Sequence, residues 1–250
     1  MAERRRFFYD PINVRGDLVT LSDEETTHIK KVLRLTSGVE AELLDGNGNI
    51  LVVELDVSGT MVSGRILEKK KIESSNKITL VLVQSLLKSN RFDDLLPQLT
   101  QLGVDQVYPI CSNRSQVNLK NVNTPKKQIR WKKIVDASCK QCMRDIRMKV
   151  ESSVQLEQYL NLSGPVEKGE LRILFWEEEK IVFLKDINNL NSVEKVQIML
   201  GPEGGFSRDE VSLAKKFGWQ TVSLGKRVLK AETATITAVS LVQYLLGNLG

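Results

Sequence analysis

Apolar and polar positions follow two different rhythms along this chain. Over residues 1–72 the apolar runs are short and separated by turn chemistry. Ala41–Leu44 and Ile50–Leu55 flank Asp45-Gly46-Asn47-Gly48, a sequence that predicts a β-hairpin. A further strand is predicted over Met61–Leu67, and Ser22 starts a short helix with Glu25 at capping-box spacing, ending near Gly38. The polar run Lys69-Lys70-Lys71-Ile72-Glu73-Ser74-Ser75-Asn76-Lys77 has linker composition, which divides the chain into a β-rich module (1–72), a linker (73–77) and a larger domain (78–250).

From Ile78 onward strands alternate with helices. Ile78–Val83, Val107–Ile110, Leu171–Trp176, Val196–Leu200 and Thr221–Leu224 read as strands. Leu95, Leu96, Leu99 and Leu102 fall at helical spacing around Pro97, so that helix is either kinked or starts late with the proline in its first turn. Pro125–Met143 reads as a long basic helix. The last helix places Ile236, Val239, Val242, Leu245 and Leu246 on one face. This alternation predicts an α/β fold with a mostly parallel sheet.

Two strand-end segments carry the candidate chemistry. Gly201-Pro202-Glu203-Gly204-Gly205-Phe206-Ser207 follows a buried strand and leads into a helix, with Ser207 and Glu210 at capping-box spacing. Its glycines let the backbone bend sharply and approach another molecule closely. Leu224–Ala234 has the same character and also precedes a helix. Open α/β sheets bind ligands outside the carboxyl ends of their strands, so the two loops predict one shared pocket.

Charge and cysteine usage narrow the picture. The net charge is +5, with a concentration of basic residues at Lys120, Lys126, Lys127, Arg130, Lys132, Lys133, Lys140, Arg144, Arg147 and Lys149. This is the footprint of a phosphate-backbone binder or, alternatively, of a solvated helix face. No apolar run is long enough to span a bilayer, and Arg4-Arg5-Arg6 is not followed by a signal-peptide core. Three cysteines without framework spacing fit a reducing cytoplasm. Cys139-x-x-Cys142 has neither a second pair nor a nearby histidine to complete a zinc site, so no metal is expected. His28 is the lone histidine, read as RNA-facing or packing.

Several segments, in order, resemble the 16S ribosomal RNA (uracil-N3)-methyltransferase family of the SPOUT superfamily. They are Arg5-Arg6-Phe7-Phe8; His28 with Val32-Leu33-Arg34; Leu102-Gly103-Val104 with Pro109 and Asn113-Arg114-Ser115; Trp131 with Gln141-Cys142 and Arg144; Gly201–Phe206; and Leu224–Ala234. The resemblance implies an N-terminal PUA-like β-barrel for RNA and a C-terminal SPOUT domain whose trefoil knot wraps S-adenosylmethionine. It also implies a cytoplasmic homodimer acting on 16S ribosomal RNA within the small subunit. Lys230-Ala231 departs from the family's usual arginine before Glu-Thr-Ala, keeping the charge but losing the bidentate fork. Asp145-Ile146 stands where the family has a proline soon after Arg144.

The implied cofactor residues are Phe175, Leu200, Gly201, Glu203, Gly204, Gly205, Leu224, Gly225, Val228, Leu229 and Thr233, with Trp176 able to extend the wall. Arg5, Arg6, His28, Arg34, Lys132, Lys133 and Lys230 are implied RNA contacts. Uracil N3 must lose its proton before it attacks, so Arg114 and Arg144 are candidates to orient the base and offset developing charge. Glu232 or Glu203 is the candidate proton acceptor. Rival readings are a SPOUT enzyme acting elsewhere on RNA, such as a ribose 2′-oxygen, and a non-catalytic RNA-binding assembly protein. A phosphate-binding P-loop is excluded by the lack of Gly-Lys-Ser/Thr.

Overall fold

The structure is a computed structural model that describes residues 5–73, 78–117, 119–187 and 192–249. Arg4 and most of the predicted linker, 74–77, lie outside the described residues, as does the side chain of Lys120. The chain forms two compact units: Met1–Ser75 with Cys139–Arg147, and Asn76–Ser138 with Met148–Gly250.

The first unit is built on a six-stranded sheet. Its strands are β1 (Arg5–Phe8), β2 (Val14–Arg15), β3 (Leu18–Thr20), β4 (Glu40–Leu44), β5 (Asn49–Asp56) and β6 (Ser63–Lys71), in the order β1-β4-β5-β6-β3-β2. All neighbours are antiparallel except β1 and β4. The predicted hairpin forms between β4 and β5. Its turn is held by Asp45, whose Oδ1 accepts from the N–H groups of Asn47 at 2.6 Å and Asn49 at 3.1 Å. Phe7, Val19, Leu21, Ile29, Leu43, Val53 and Leu55 make the core.

The short helix departs from its expected form. Ser22 does cap α1 (Asp23–Thr27) through Glu25 N–H, but Glu25 does not return the bond. Its buried carboxylate instead accepts from Phe8 N–H at 3.1 Å and from Lys140 Nζ at 2.9 Å. Beyond Thr27 the helix widens into a π-helical turn over His28–Leu33 and stops at Arg34, in the left-handed region at φ 52°, ahead of Gly38.

The second unit holds a parallel sheet. Its strands are β7 (Thr79–Ser85), β8 (Gln106–Cys111), β9 (Lys149–Val150), β10 (Val154–Gln155), β11 (Glu170–Phe175), β12 (Lys195–Leu200) and β13 (Gln220–Val222). The order is β10-β8-β7-β12-β11-β13, with β9 also paired to β8, and every pairing is parallel. Buried apolar residues on β7, β12 and β11 read as near-continuous runs, as expected for strands covered on both faces.

The helices are α2 (Arg91–Gln101), α3 (Leu119–Val122), α4 (Pro125–Gln141), α5 (Leu156–Ser163), α6 (Arg208–Lys216) and α7 (Ala231–Leu245). Pro97 lies inside α2 rather than in its first turn. The helix is anchored by Asp93, a buried carboxylate that accepts from Trp131 Nε1 at 2.8 Å, Arg130 Nε at 2.7 Å and Lys127 Nζ at 2.8 Å. Burial pushes the Asp93 carboxyl upward, but the bonds from Lys127, Trp131 and Arg130 outweigh it and lower its pKa. Two cations of the basic stretch are therefore committed to tying α4 onto α2.

Candidate functional site

The carboxyl ends of β12, β11 and β13 open onto a cleft of about 520 Å³, within the range of about 300–1,000 Å³ usual for small-molecule sites. The glycine-rich loop 201–207 and the loop 223–230 both line it. The strand order reverses between β7 and β12, because the chain runs from β7 outward to β8 and later returns to the other side. Such a switch point leaves a crevice between the departing connections.

Buried polar side chains hold the loops together there. Gln84, at the end of β7 and fully buried, accepts from Thr235 Oγ1 at 2.7 Å through Oε1 and directs Nε2 toward Gly201 O at 3.5 Å. One side chain thus touches the start of the first loop and the helix that follows the second. Ser207 and Glu210 form the reciprocal capping box expected for α6. Glu210 also uses Oε1 to accept from Asn113 N–H at 2.6 Å. That bond fixes the 112–115 turn against the loop, and Arg114 Nη1 donates to Gly204 O at 2.8 Å.

The glycines have distinct roles. Gly205 is at φ 66°, in the left-handed region, and a Cβ there would collide with the Glu177 carboxylate. A Cβ on Gly204 would instead meet Arg114 Cβ at 3.1 Å, so this glycine makes room for the arginine rather than for a ligand.

The remaining wall is the segment after β11. Glu179 accepts from Thr221 Oγ1 at 2.6 Å and from the N–H groups of Lys180, Ile181 and Val182. These bonds, led by the one from Thr221, hold its pKa down at about 2. Arg208 Nε bonds Glu178 Oε2 at 2.9 Å. The segment is pinned on both sides.

Ten of the eleven predicted cofactor residues line the cleft: Phe175, Leu200, Gly201, Glu203, Gly204, Gly205, Leu224, Gly225, Val228 and Leu229. Thr233 faces an adjoining cavity of about 280 Å³ beside α2. Lys230 and Glu232 line the main cleft, and Arg114 sits on the outer side of the glycine loop. Arg144 belongs to the first unit, where its Nε donates to Ile146 O at 2.7 Å.

The predicted RNA residues divide by exposure. Arg5, Arg34, Lys132, Lys133 and Lys230 are exposed, whereas Arg6 is buried in ion pairs with Glu42 and Asp145. His28 lies edge-on to Phe7 with ring centroids 6.0 Å apart, and its Nδ1 is 3.7 Å from Glu25. Cys139 is buried in helix α4, Cys142 is half-buried, and no cluster of metal-ligating side chains occurs among the described residues.

Sequence reasoning missed Gln84, Arg91 and Glu177. Gln84 and Arg91 lie in no glycine-rich or charged run: Gln84 is fully buried at the end of β7 and Arg91 starts the helix after the same strand, whereas Glu177 opens the acidic run that follows β11. Arg91 lines both cavities, with Nη1 3.4 Å from Glu203 and Nε 3.2 Å from Glu232.

The lining suits a ligand that is part apolar and part charged. Phe175, Leu200, Leu224 and Leu229 offer hydrocarbon surface, and five cationic side chains face three carboxylates around the cleft. Two buried atoms at this wall have no hydrogen-bond partner, the donor Trp176 Nε1 and the acceptor Glu232 Oε2. Orphaned buried polar atoms are costly in a folded chain and call for a partner.

The chain thus combines an open parallel α/β sheet, with a ligand-sized cleft at its switch point, and a small β-sheet unit. The RNA methyltransferase domain matches residues 74–243, and the RNA methyltransferase PUA domain matches 21–56. The chain belongs to this RNA methyltransferase family, of SPOUT fold. It is 30% identical to ribosomal RNA small subunit methyltransferase E of Aquifex aeolicus, over 91% of this chain and 94% of that protein. The namesake in Buchnera aphidicola from Schizaphis graminum is 28% identical over 94% of this chain and 93% of its own length. The crystal structure of ribosomal RNA small subunit methyltransferase E from Neisseria gonorrhoeae, bound to S-adenosylmethionine, superposes with a TM-score of 0.83. It is 27% identical and covers 97% of this chain and 98% of that one.

Proposed function

We propose that the protein methylates a uridine at N3 in 16S ribosomal RNA of the small subunit, using S-adenosylmethionine. The observation that carries this reading is the convergence of both glycine-bearing loops on one part-apolar, part-charged cleft. The cofactor would be held by Leu200, Leu224 and Leu229 around its adenine and by the polar groups of the same loops around its amino-acid end. When bound, it supplies an electrophilic methyl group.

The protein's own residues supply the rest. Glu232, with one carboxylate oxygen lacking a partner, accepts the N3 proton of the target uracil. Arg114 offsets the negative charge that develops on the base, and Arg144 orients the RNA from the first unit. Arg5, Arg34, Lys132, Lys133 and Lys230 are exposed cations and the candidates for phosphate contact. The trefoil knot, a homodimer and a cytoplasmic setting are part of the same proposal, carried by the family resemblance. Among the described residues no helix is long and apolar enough to cross a membrane.

The test is calorimetric titration with S-adenosylmethionine, followed by methyl transfer to small ribosomal subunits lacking the modification, with the product nucleoside mapped by mass spectrometry. N3-methyluridine is expected. A 2′-O-methyl product would move the activity to the ribose. Absence of cofactor binding, with and without subunits, would leave an RNA-binding protein.

A further inference from the structure

The two carboxylates at the mouth of the cleft are not equivalent. Glu203 Oε1 accepts from Lys88 N–H at 3.0 Å and lies 3.4 Å from Arg91 Nη1. Among the described residues Glu232 has only Arg91 on one oxygen, at 3.2 Å, and its Oε2 is buried with no partner. One guanidinium therefore serves two carboxylates, and the Glu232 carboxylate keeps one oxygen without a hydrogen-bond partner.

Both ends of the Arg91–Glu232 contact stand on fixed backbone. Arg91 begins α2, and the next two residues, Phe92 and Asp93, are 2% and 3% exposed, with Asp93 held by three donors of α4. Glu232 is in the first turn of α7, where Thr235 is fully buried and bonded to Gln84. A functional side chain held between two such anchors is presented in a narrow range of positions.

We infer that Arg91 is a positioning residue of the reaction, acting through Glu232: by holding Oε1 it fixes the orientation of a carboxylate that lines the cleft and has been assigned the proton. The inference rests on the proposed role of Glu232 as proton acceptor. Ion pairs as exposed as this one contribute little to folding stability, so its effect should fall on the chemical step.

The test is a mutant cycle read by single-turnover methyl transfer to small ribosomal subunits at saturating S-adenosylmethionine. Arg91→Ala should slow the step roughly 10- to 100-fold, the scale of a modest misplacement of a reacting group. The same loss should appear in a Glu203→Gln background and vanish in a Glu232→Gln background, because residues acting as one unit are not additive. Arg91→Lys, which keeps the charge, runs the same cycle if the alanine variant does not fold.

An unchanged rate in Arg91→Ala, or an equal loss in the Glu232→Gln background, overturns the inference. A wild type that binds cofactor and transfers methyl while Arg91→Ala matches it defeats only this inference. A wild type that does neither overturns the proposed function itself.

Discussion

Glu210 joins the glycine loop, the start of α6 and the 112–115 turn, and its removal has a predictable cost. In Glu210→Ala, Ser207 N–H loses an acceptor at 2.8 Å and Asn113 N–H loses one at 2.6 Å. The residue is 6% exposed, so water reaches the freed groups poorly. Hydrogen bonds to a charged group contribute about 1.5–3 kcal/mol each. The lower end of that range for two bonds gives about 3 kcal/mol, to which the lost negative charge at the helix start adds about 0.3–1 kcal/mol. For a unit of this size each kcal/mol lowers Tm by about 2–4 °C, so a fall of about 7–16 °C is expected by circular dichroism. Ser207→Ala, which removes the other half of the box, should cost only about 1 kcal/mol. Hydrogen exchange should show lost protection at the Asn113 amide in Glu210→Ala. A fall in Tm below that of Ser207→Ala, with Asn113 still protected, would refute the coupling of the Arg114 turn to the glycine loop.

Other perturbations separate the roles of the loop residues. Gly205→Ala must hold a left-handed conformation, at about 1–2 kcal/mol, and push the Glu177 carboxylate aside. Lower Tm and weaker S-adenosylmethionine binding are expected, and full retention of both would contradict the geometry. Gly204→Val should instead disturb Arg114, lowering methyl transfer to RNA more than cofactor affinity, as calorimetry and the transfer assay together would show. Acid should weaken the second unit through Glu179 and Glu170. Burial pushes Glu170 upward, but bonds from Lys195, Gln197, Glu167 N–H and Arg172 hold it at about 2, as Thr221 and its loop amides hold Glu179. Both pKa values lie below their ordinary value, so the stability they contribute is complete above about pH 4.5 and lost as pH falls toward 2. Glu170→Gln should flatten that part of the pH–stability curve, and an unchanged curve would count against it.

What could be read from the chain was what local chemistry dictates. The Ser207–Glu210 box, the Asp45–Asn49 turn and the strand at Val196–Leu200 each depend on neighbours within a few residues, and each stands where the pattern put it. The shared pocket followed from two such local features plus the rule for strand ends. Glu25 shows where that reasoning stops. Its spacing from Ser22 is that of a capping box, yet the carboxylate is taken by Phe8 and Lys140, 17 and 115 residues away. A buried backbone N–H and an ammonium outcompete the local partner, and sequence spacing carries no trace of either. The grouping of Cys139–Arg147 with the first unit is equally silent in the pattern, because the basic helix reads as continuous from Pro125 to Met143, across the point where the units divide.

The same limit explains why the loops were found and the residues that govern them were not. Gly205 and Gly225 declare themselves because a left-handed backbone favours glycine, and Gly201 because a Cβ there would crowd Gly205 and Phe206 at 3.3 Å. Gln84 and Arg91 carry no such restriction: a glutamine ending a strand and an arginine starting a helix are ordinary. They acquire meaning only because β7 lies beside β12, which brings the segments after both strands to one edge of the sheet. Gln84 then reaches Gly201 and Thr235, and Arg91 reaches Glu203 and Glu232, so each spans the two loops from a third segment. A cleft made by two loops needs an element common to both if the loops are to keep a fixed separation, and the strand and helix on the other side of the switch point provide it twice. One contact is buried and uncharged, suited to holding the backbone. The other is half-exposed and charged, suited to responding to what binds.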